Sequence, residues 1–63
     1  MTYFIQVTAT SGYSRLINIA SIECVEEVGF GGNTNIILRN GSLTVRESYD
    51  AIRKQLDQKR EDV

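Results

Sequence analysis

Tyr3, Ile5, Val7 and Ala9 alternate with Phe4, Gln6, Thr8 and Thr10, a period of two that predicts a half-buried strand. Ser11-Gly12-Tyr13 carries turn chemistry. Arg15-Leu16-Ile17-Asn18-Ile19 follows as a second strand closing a hairpin with the first. Ala20-Ser21 interrupts the pattern. The stretch Ile22–Val28 reads in two ways. Ile19, Ile22 and Val25 are spaced by three, as in a helical turn, whereas Ile22, Cys24 and Val28 suit a strand with an irregularity. Its β-branched residues and the strand signal just downstream favour a strand after a short turn at Ala20-Ser21.

Gly29-Phe30-Gly31-Gly32-Asn33 is a glycine-rich connection to a strand over Thr34–Arg39. Ile36 and Leu38 share one face of that strand, and Leu43 and Val45 share one face of the next, so their apolar residues meet across the pair. The Asn40-Gly41 pair between them predicts a type I′ turn, which needs positive φ at both central residues. Ser48 is a good helix N-cap, with Asp50 in the first turn where the helix dipole favours an acid. Tyr49, Ile52 and Leu56 form one helical stripe, and Asp50–Lys54 and Arg53–Asp57 are opposite-charge pairs four apart. Beyond Leu56 the chain is almost entirely polar and the helix is expected to fray. The expected architecture is α+β: a small antiparallel meander of four to five strands with one C-terminal helix packed on its apolar face. Residues 1–58 form this single domain and 59–63 a polar tail. Phe4, Ile17 and Ile37 fall off the main inward face and are candidates for a second apolar surface.

A chain of 63 residues buries only about 60% of its unfolded surface. One core of this size supplies roughly 3–5 kcal/mol, so small domains commonly lean on disulfides, metals or oligomerisation. Cys24 is the only cysteine and histidine is absent. An internal disulfide is therefore impossible, and a zinc site would lack its usual ligands. Self-association is the support left open, and a homo-oligomer is the expectation. The lone thiol suits a reducing cytoplasm. The segment Met1–Val7 has neither the basic region nor the apolar length of a signal peptide or membrane span. The net charge of −1 gives no global attraction to nucleic acid or to an anionic membrane. The charge is uneven, with Glu23, Glu26 and Glu27 clustered in the first half and Arg39, Arg46, Arg53, Lys54, Lys59 and Arg60 in the second.

From Asn18 onward the chain resembles the small FlbD family of bacterial flagellar proteins. The residues that carry the resemblance are Asn18, Ile22-Glu23, Val25-Glu26, Thr34, Ile36, Leu38, Asn40-Gly41, Val45 and Glu47-Ser48. The middle loop departs from the family pattern, with Gly29–Asn33 standing where a Pro-Asp is usual. The resemblance implies a role linked to motility, without a defined enzymatic activity.

Catalysis needs a positioned titratable group with a tuned pKa, and the pattern offers none. Cys24 has no histidine to activate it and reads as a small buried apolar residue. Glu23, Glu26 and Glu27 do not converge on a strand, whose neighbours point to opposite faces, so they read as a solvated acidic face rather than a cation site. No cofactor is expected. The favoured expectation is a non-enzymatic, oligomeric binding module acting on a protein partner in a regulatory or accessory role. Phe30, flanked by glycines, would anchor the partner with Gly31, Asn33 and Phe4. The alternative is a binder of an anionic small molecule, of the kind phage or mobile elements use to sequester a signal. Its site between subunits would be lined by Gly31, Gly32, Arg39 and Arg46, the glycine loop acting as a backbone nest. Nucleic-acid binding by the basic second half is a third reading, weakened by the missing basic-aromatic interleaving.

Overall fold

The computed structural model describes residues 3–29 and 32–60, with side chains described as far as residue 58. Five strands and one helix follow one another: β1 (Phe4–Thr8), β2 (Ser14–Asn18), a 3-10 turn (Ile19–Ser21), β3 (Ile22–Val28), β4 (Asn33–Leu38), β5 (Gly41–Val45) and α1 (Tyr49–Arg60). All strand pairings are antiparallel, and the strands divide into a β1–β2 sheet and a β3–β4–β5 sheet. The two sheets join at one corner. There Ala9 bridges to Val45, Thr10 N–H donates to the Thr44 carbonyl at 3.3 Å, and Arg46 N–H donates to the Thr8 carbonyl at 2.8 Å.

The β1–β2 hairpin turns through Thr10-Ser11-Gly12. Gly12 sits at φ +102, a backbone conformation open to glycine because no Cβ clashes there. The Ala9 carbonyl accepts from Gly12 N–H at 2.8 Å, and Ala9 N–H donates to the Tyr13 carbonyl at 2.9 Å. That closure fixes a register of Ile5 opposite Ile17 and Val7 opposite Arg15. Ile5, Val7 and Ala9 are buried as their alternation predicts. Ile17 is buried with them, at 7% exposure, rather than lying on a second apolar surface. The physical reason is parity: the register aligns odd residues with odd, so Ile17 shares the inward face and Leu16 takes the outward one. Phe4 stays largely exposed, and Ile37 lies half-buried on the outer side of β4.

Asn18 caps the 3-10 turn by accepting from Ala20 N–H at 2.9 Å, and that turn carries the chain from one sheet to the other. β3 is strand throughout, with a bulge between Ile22 and Cys24. Two β3 residues there oppose one on β4, which reverses the side-chain alternation. Ile22 and Val25, three apart, therefore both pack on the core. Their helix-like spacing is the signature of a bulged strand.

The β4–β5 hairpin is present, but its turn is not type I′. Leu38 pairs with Gly41, so the two loop residues are Arg39 and Asn40. Neither Asn40 nor Gly41 has positive φ. Gly41 thus occupies the last position of an ordinary turn, where glycine is favoured without being required.

Ile5, Val7, Ile17, Ile36, Val45 and Ile52 form the buried core, with Ile19, Ile22, Val25, Leu38, Leu43 and Leu56 packed around it. α1 covers this core, touching β1 and β3. Ser48 caps it as predicted, its Oγ accepting from Ala51 N–H at 3.2 Å. Of the two expected ion pairs, Arg53–Asp57 forms at 4.0 Å between exposed side chains, a geometry worth little. The helix continues past Leu56 to Arg60. No helix of the described residues is long and apolar enough to cross a membrane.

Candidate functional site

Every strand has two edges, and the fate of each backbone N–H and C=O row shows where another chain can attach. In the first hairpin, Ile19 N–H donates to Tyr3 C=O at 3.0 Å and Ala9 N–H to Tyr13 C=O. Odd-numbered residues thus exchange the ladder bonds, and the even-numbered groups of both strands point away. On β1 those groups are nearly all taken. Gln6 N–H donates to Gln55 Oε1 at 3.2 Å while Gln55 Nε2 donates to Gln6 C=O at 3.0 Å, so a side-chain amide stands in for a strand. Thr8 N–H donates to Glu47 Oε1 at 2.8 Å and Thr8 Oγ1 to Glu47 Oε2 at 2.9 Å. Arg46 closes the row, its N–H on Thr8 C=O and its Nη2 on Thr10 C=O at 3.0 Å.

Glu47 is the electrostatic centre of this corner. Burial alone would raise its pKa. The amide and hydroxyl of Thr8, its own backbone N–H and the Arg46 charge outweigh that and hold it below the ordinary carboxylate value of 4.5. Its backbone carbonyl accepts from Thr34 Oγ1 at 2.7 Å, which accounts for the fully buried Thr34.

β2 is different. It pairs with β1 alone, leaving on an open edge the N–H and C=O groups of Ser14 and Leu16 and the N–H of Asn18, whose C=O is taken up by the 3-10 turn that it caps. Leu16 is 68% exposed and Tyr13 72%. The register puts Phe4 diagonal to Leu16 on the outward face of this sheet, within reach of an apolar contact. β3, which likewise has no strand on its outer side, is guarded by the devices that blunt an edge: a bulge, the exposed Glu23, Glu26 and Glu27, and α1 packed beside Val25. β2 has no bulge, and Arg15 is its one charge.

Beside β2 lies a cleft of about 410 Å³, bounded on the far side by the tip of the β4–β5 hairpin. Ile17, Leu38 and Leu43, with Leu16 at the strand edge, supply its apolar side, and Asn18, Ser21, Asn40 and Ser42 its polar rim. Arg15 is its one charged lining residue. Among the described residues the ion pair is Arg53–Asp57, so Arg15 is uncommitted.

The residues singled out from the sequence do not gather here. Phe30 and Gly31 lie outside the described residues. Phe4 and Asn33 are far apart, because Phe4 begins β1 whereas Asn33 lies at the corner end of β4, one step from Thr34 opposite Val45. Gly32, at φ +73, is at the same end of the second sheet as Arg46. Arg39 lies at the other end, across the six residues of β4, or roughly 20 Å of strand. Arg46 is committed to Thr10. Cys24 is exposed, not buried, because the bulge at Glu23 turns it to the outer face opposite Ile37. Among the described residues, no group of three acidic or thiol side chains converges as a metal site.

Leu16, Arg15 and the cleft escape a reading of alternation alone. The available signal was parity about the Ala9–Tyr13 closure, which assigns Ile17 to the core and Leu16 to solvent. Compared with known protein families, with curated proteins and with solved structures, the chain matches none.

Proposed function

We propose that this protein is a non-enzymatic binding module that acts on a protein partner, in a regulatory or accessory role, by accepting an extended segment at the open edge of β2. One observation carries the proposal: β1 and β5 meet at the Ala9–Val45 corner, and of the two edge strands that no other strand meets on their outer side, β3 is defended against pairing and β2 is not, although β2 displays a largely exposed leucine. Strand addition draws affinity from main-chain hydrogen bonds and specificity from alternate side chains. Covering Leu16 contributes roughly 1–2 kcal/mol, and each ladder bond closed adds about 0.5–1.5 kcal/mol. The motility-linked role that the FlbD resemblance implies is one setting for such a module. An anion held jointly by Gly31, Gly32, Arg39 and Arg46 gains no support from the register, which separates Arg39 from Gly32 and Arg46.

The test is a photo-crosslinking side chain placed at position 16 in the native host, with the same group at Lys54 on the helix as control. A discrete protein adduct from position 16 alone supports the proposal. No adduct from position 16, or the same adducts from both positions, refutes it.

A further inference from the structure

The open edge and the neighbouring cleft share the same residues, and together they constrain what the edge accepts. We propose that β2 and its cleft bind an extended partner segment with the local pattern apolar-apolar-acidic, added as an antiparallel strand. This rests on the reading of β2 as a partner-binding edge and specifies the chemistry of the occupant.

The pattern follows from parity. An antiparallel strand forms its ladder with the free groups of Ser14, Leu16 and Asn18, and its side chains alternate between the faces of the sheet. The residue opposite Ile17 points inward, over the apolar side of the cleft formed by Ile17, Leu38 and Leu43. The next residue lies opposite Leu16 on the outward face, where an apolar side chain covers the exposed leucine beside Phe4. The third residue lies opposite Arg15 and again points inward. Arg15 is the one charge lining the cleft and is uncommitted among the described residues. A carboxylate on that third residue supplies the complementary charge.

Charge also distinguishes this occupant from a second copy of the chain. The open edge is symmetric about Leu16, so two copies would pair with Leu16 on the two-fold axis. Each Arg15 would then face the Ile17 of the other copy, and the two guanidinium groups would lie diagonally on one face. Like charges on neighbouring strands disfavour pairing, whereas an acidic segment removes the conflict.

The probe is the peptide acetyl-Thr-Leu-Val-Glu-Thr-amide, titrated into the ¹⁵N-labelled full chain and followed by NMR. Its residues would face Asn18, Ile17, Leu16, Arg15 and Ser14 in turn. The expected result is amide shifts centred on β2, with slowed hydrogen exchange at Ser14, Leu16 and Asn18. N-methylation of the valine amide, which points at Leu16, abolishes binding. Replacing the peptide's glutamate by lysine weakens binding roughly threefold to tenfold, the range expected of a surface ion pair and its reversal. Arg15→Glu, an exposed site, inverts that preference.

Equal binding of the glutamate and lysine peptides overturns the proposal, as does an N-methyl peptide that binds unchanged. Absence of any β2 shift at the solubility limit of the peptide overturns it too. Protection of Ser14, Leu16 and Asn18 without peptide, at a dimeric mass, assigns the edge to a second copy and also overturns it. A position-specific crosslink at residue 16 combined with peptide failure removes the acidic chemistry and leaves the partner-binding edge standing. Failure of both removes the edge as well.

Discussion

Glu47 joins the two sheets to the start of the helix, and removing its carboxylate isolates what that junction contributes. Its two oxygens accept from the Thr8 amide and hydroxyl at 2.8 and 2.9 Å, while its carbonyl holds Thr34. Hydrogen bonds to charged groups contribute about 1.5–3 kcal/mol each. This corner is only part-buried, and water replaces some of what is lost. Glu47→Ala is therefore expected to cost about 2–3 kcal/mol in total, a large share of the roughly 3–5 kcal/mol available to a core of this size. In thermal unfolding the loss lowers Tm by roughly 10–20 °C, at about 4–8 °C per kcal/mol for so small a domain. In urea it moves the midpoint without changing the slope. Glu47→Gln keeps an acceptor for the Thr8 amide and loses the charge, so its cost is about 1 kcal/mol.

The pH dependence of that difference identifies the charge as its cause. The folded pKa of Glu47 lies below 4.5, so on acidification the unfolded chain takes up the proton first. The stabilisation is therefore complete above the unfolded pKa and is lost as pH falls through the folded value. Urea midpoints of wild type and Glu47→Gln, measured from about pH 7 to pH 3, should differ at neutral pH and converge in acid. A gap that stays constant over that range would refute the charge-assisted clamp. An unchanged midpoint in Glu47→Ala would refute the corner as a source of stability.

Gly41→Ala should be nearly neutral in urea unfolding, since Gly41 has no positive φ and its added Cβ meets nothing within 4 Å. Gly12→Ala, at φ +102, should cost about 1 kcal/mol or more, and the reverse order would restore a type I′ turn at Asn40-Gly41. Gln55→Leu removes both bonds to the Gln6 peptide group, so amide exchange at Gln6 should accelerate and stability fall by about 1–2 kcal/mol; unchanged exchange would mean the helix is held on β1 by packing alone. The Cys24 thiol should react with an aromatic disulfide reagent in the native state at a rate close to that in denaturant, and strong native protection would contradict its outward position.

Local chemistry made the elements legible. The alternation of Ile5, Val7 and Ala9, the cap at Ser48 and the stripe through Ile52 and Leu56 each express a period or a terminus that a few adjacent residues determine. The bulge at Glu23 was visible only as a conflict, because three-residue spacing in a β-branched run fits either a helical turn or a strand that slips once. The turn at Arg39-Asn40 shows that an Asn-Gly pair fixes a hairpin more firmly than it fixes which two residues form the loop.

The candidate site depends on information of another kind. β1 and β2 are equal in length, and nothing within either strand shows which keeps an open edge. The answer comes from Gln55, 49 residues from its partner in sequence, and from Glu47, 39 residues from its partner. Both reach back to satisfy β1. They do so as polar residues on an apparently ordinary helix and its entry loop, where solvent exposure would explain them equally well. Among the described residues no such side chain reaches β2, and the devices that guard β3 are absent from it. An open edge is thus defined by what the rest of the chain leaves uncovered, and it becomes visible only when the destination of each backbone group is followed through the fold. Leu16 gains its meaning in the same way: an exposed leucine on a covered strand is unremarked surface, but on an undefended edge it is the side chain that pairing would bury.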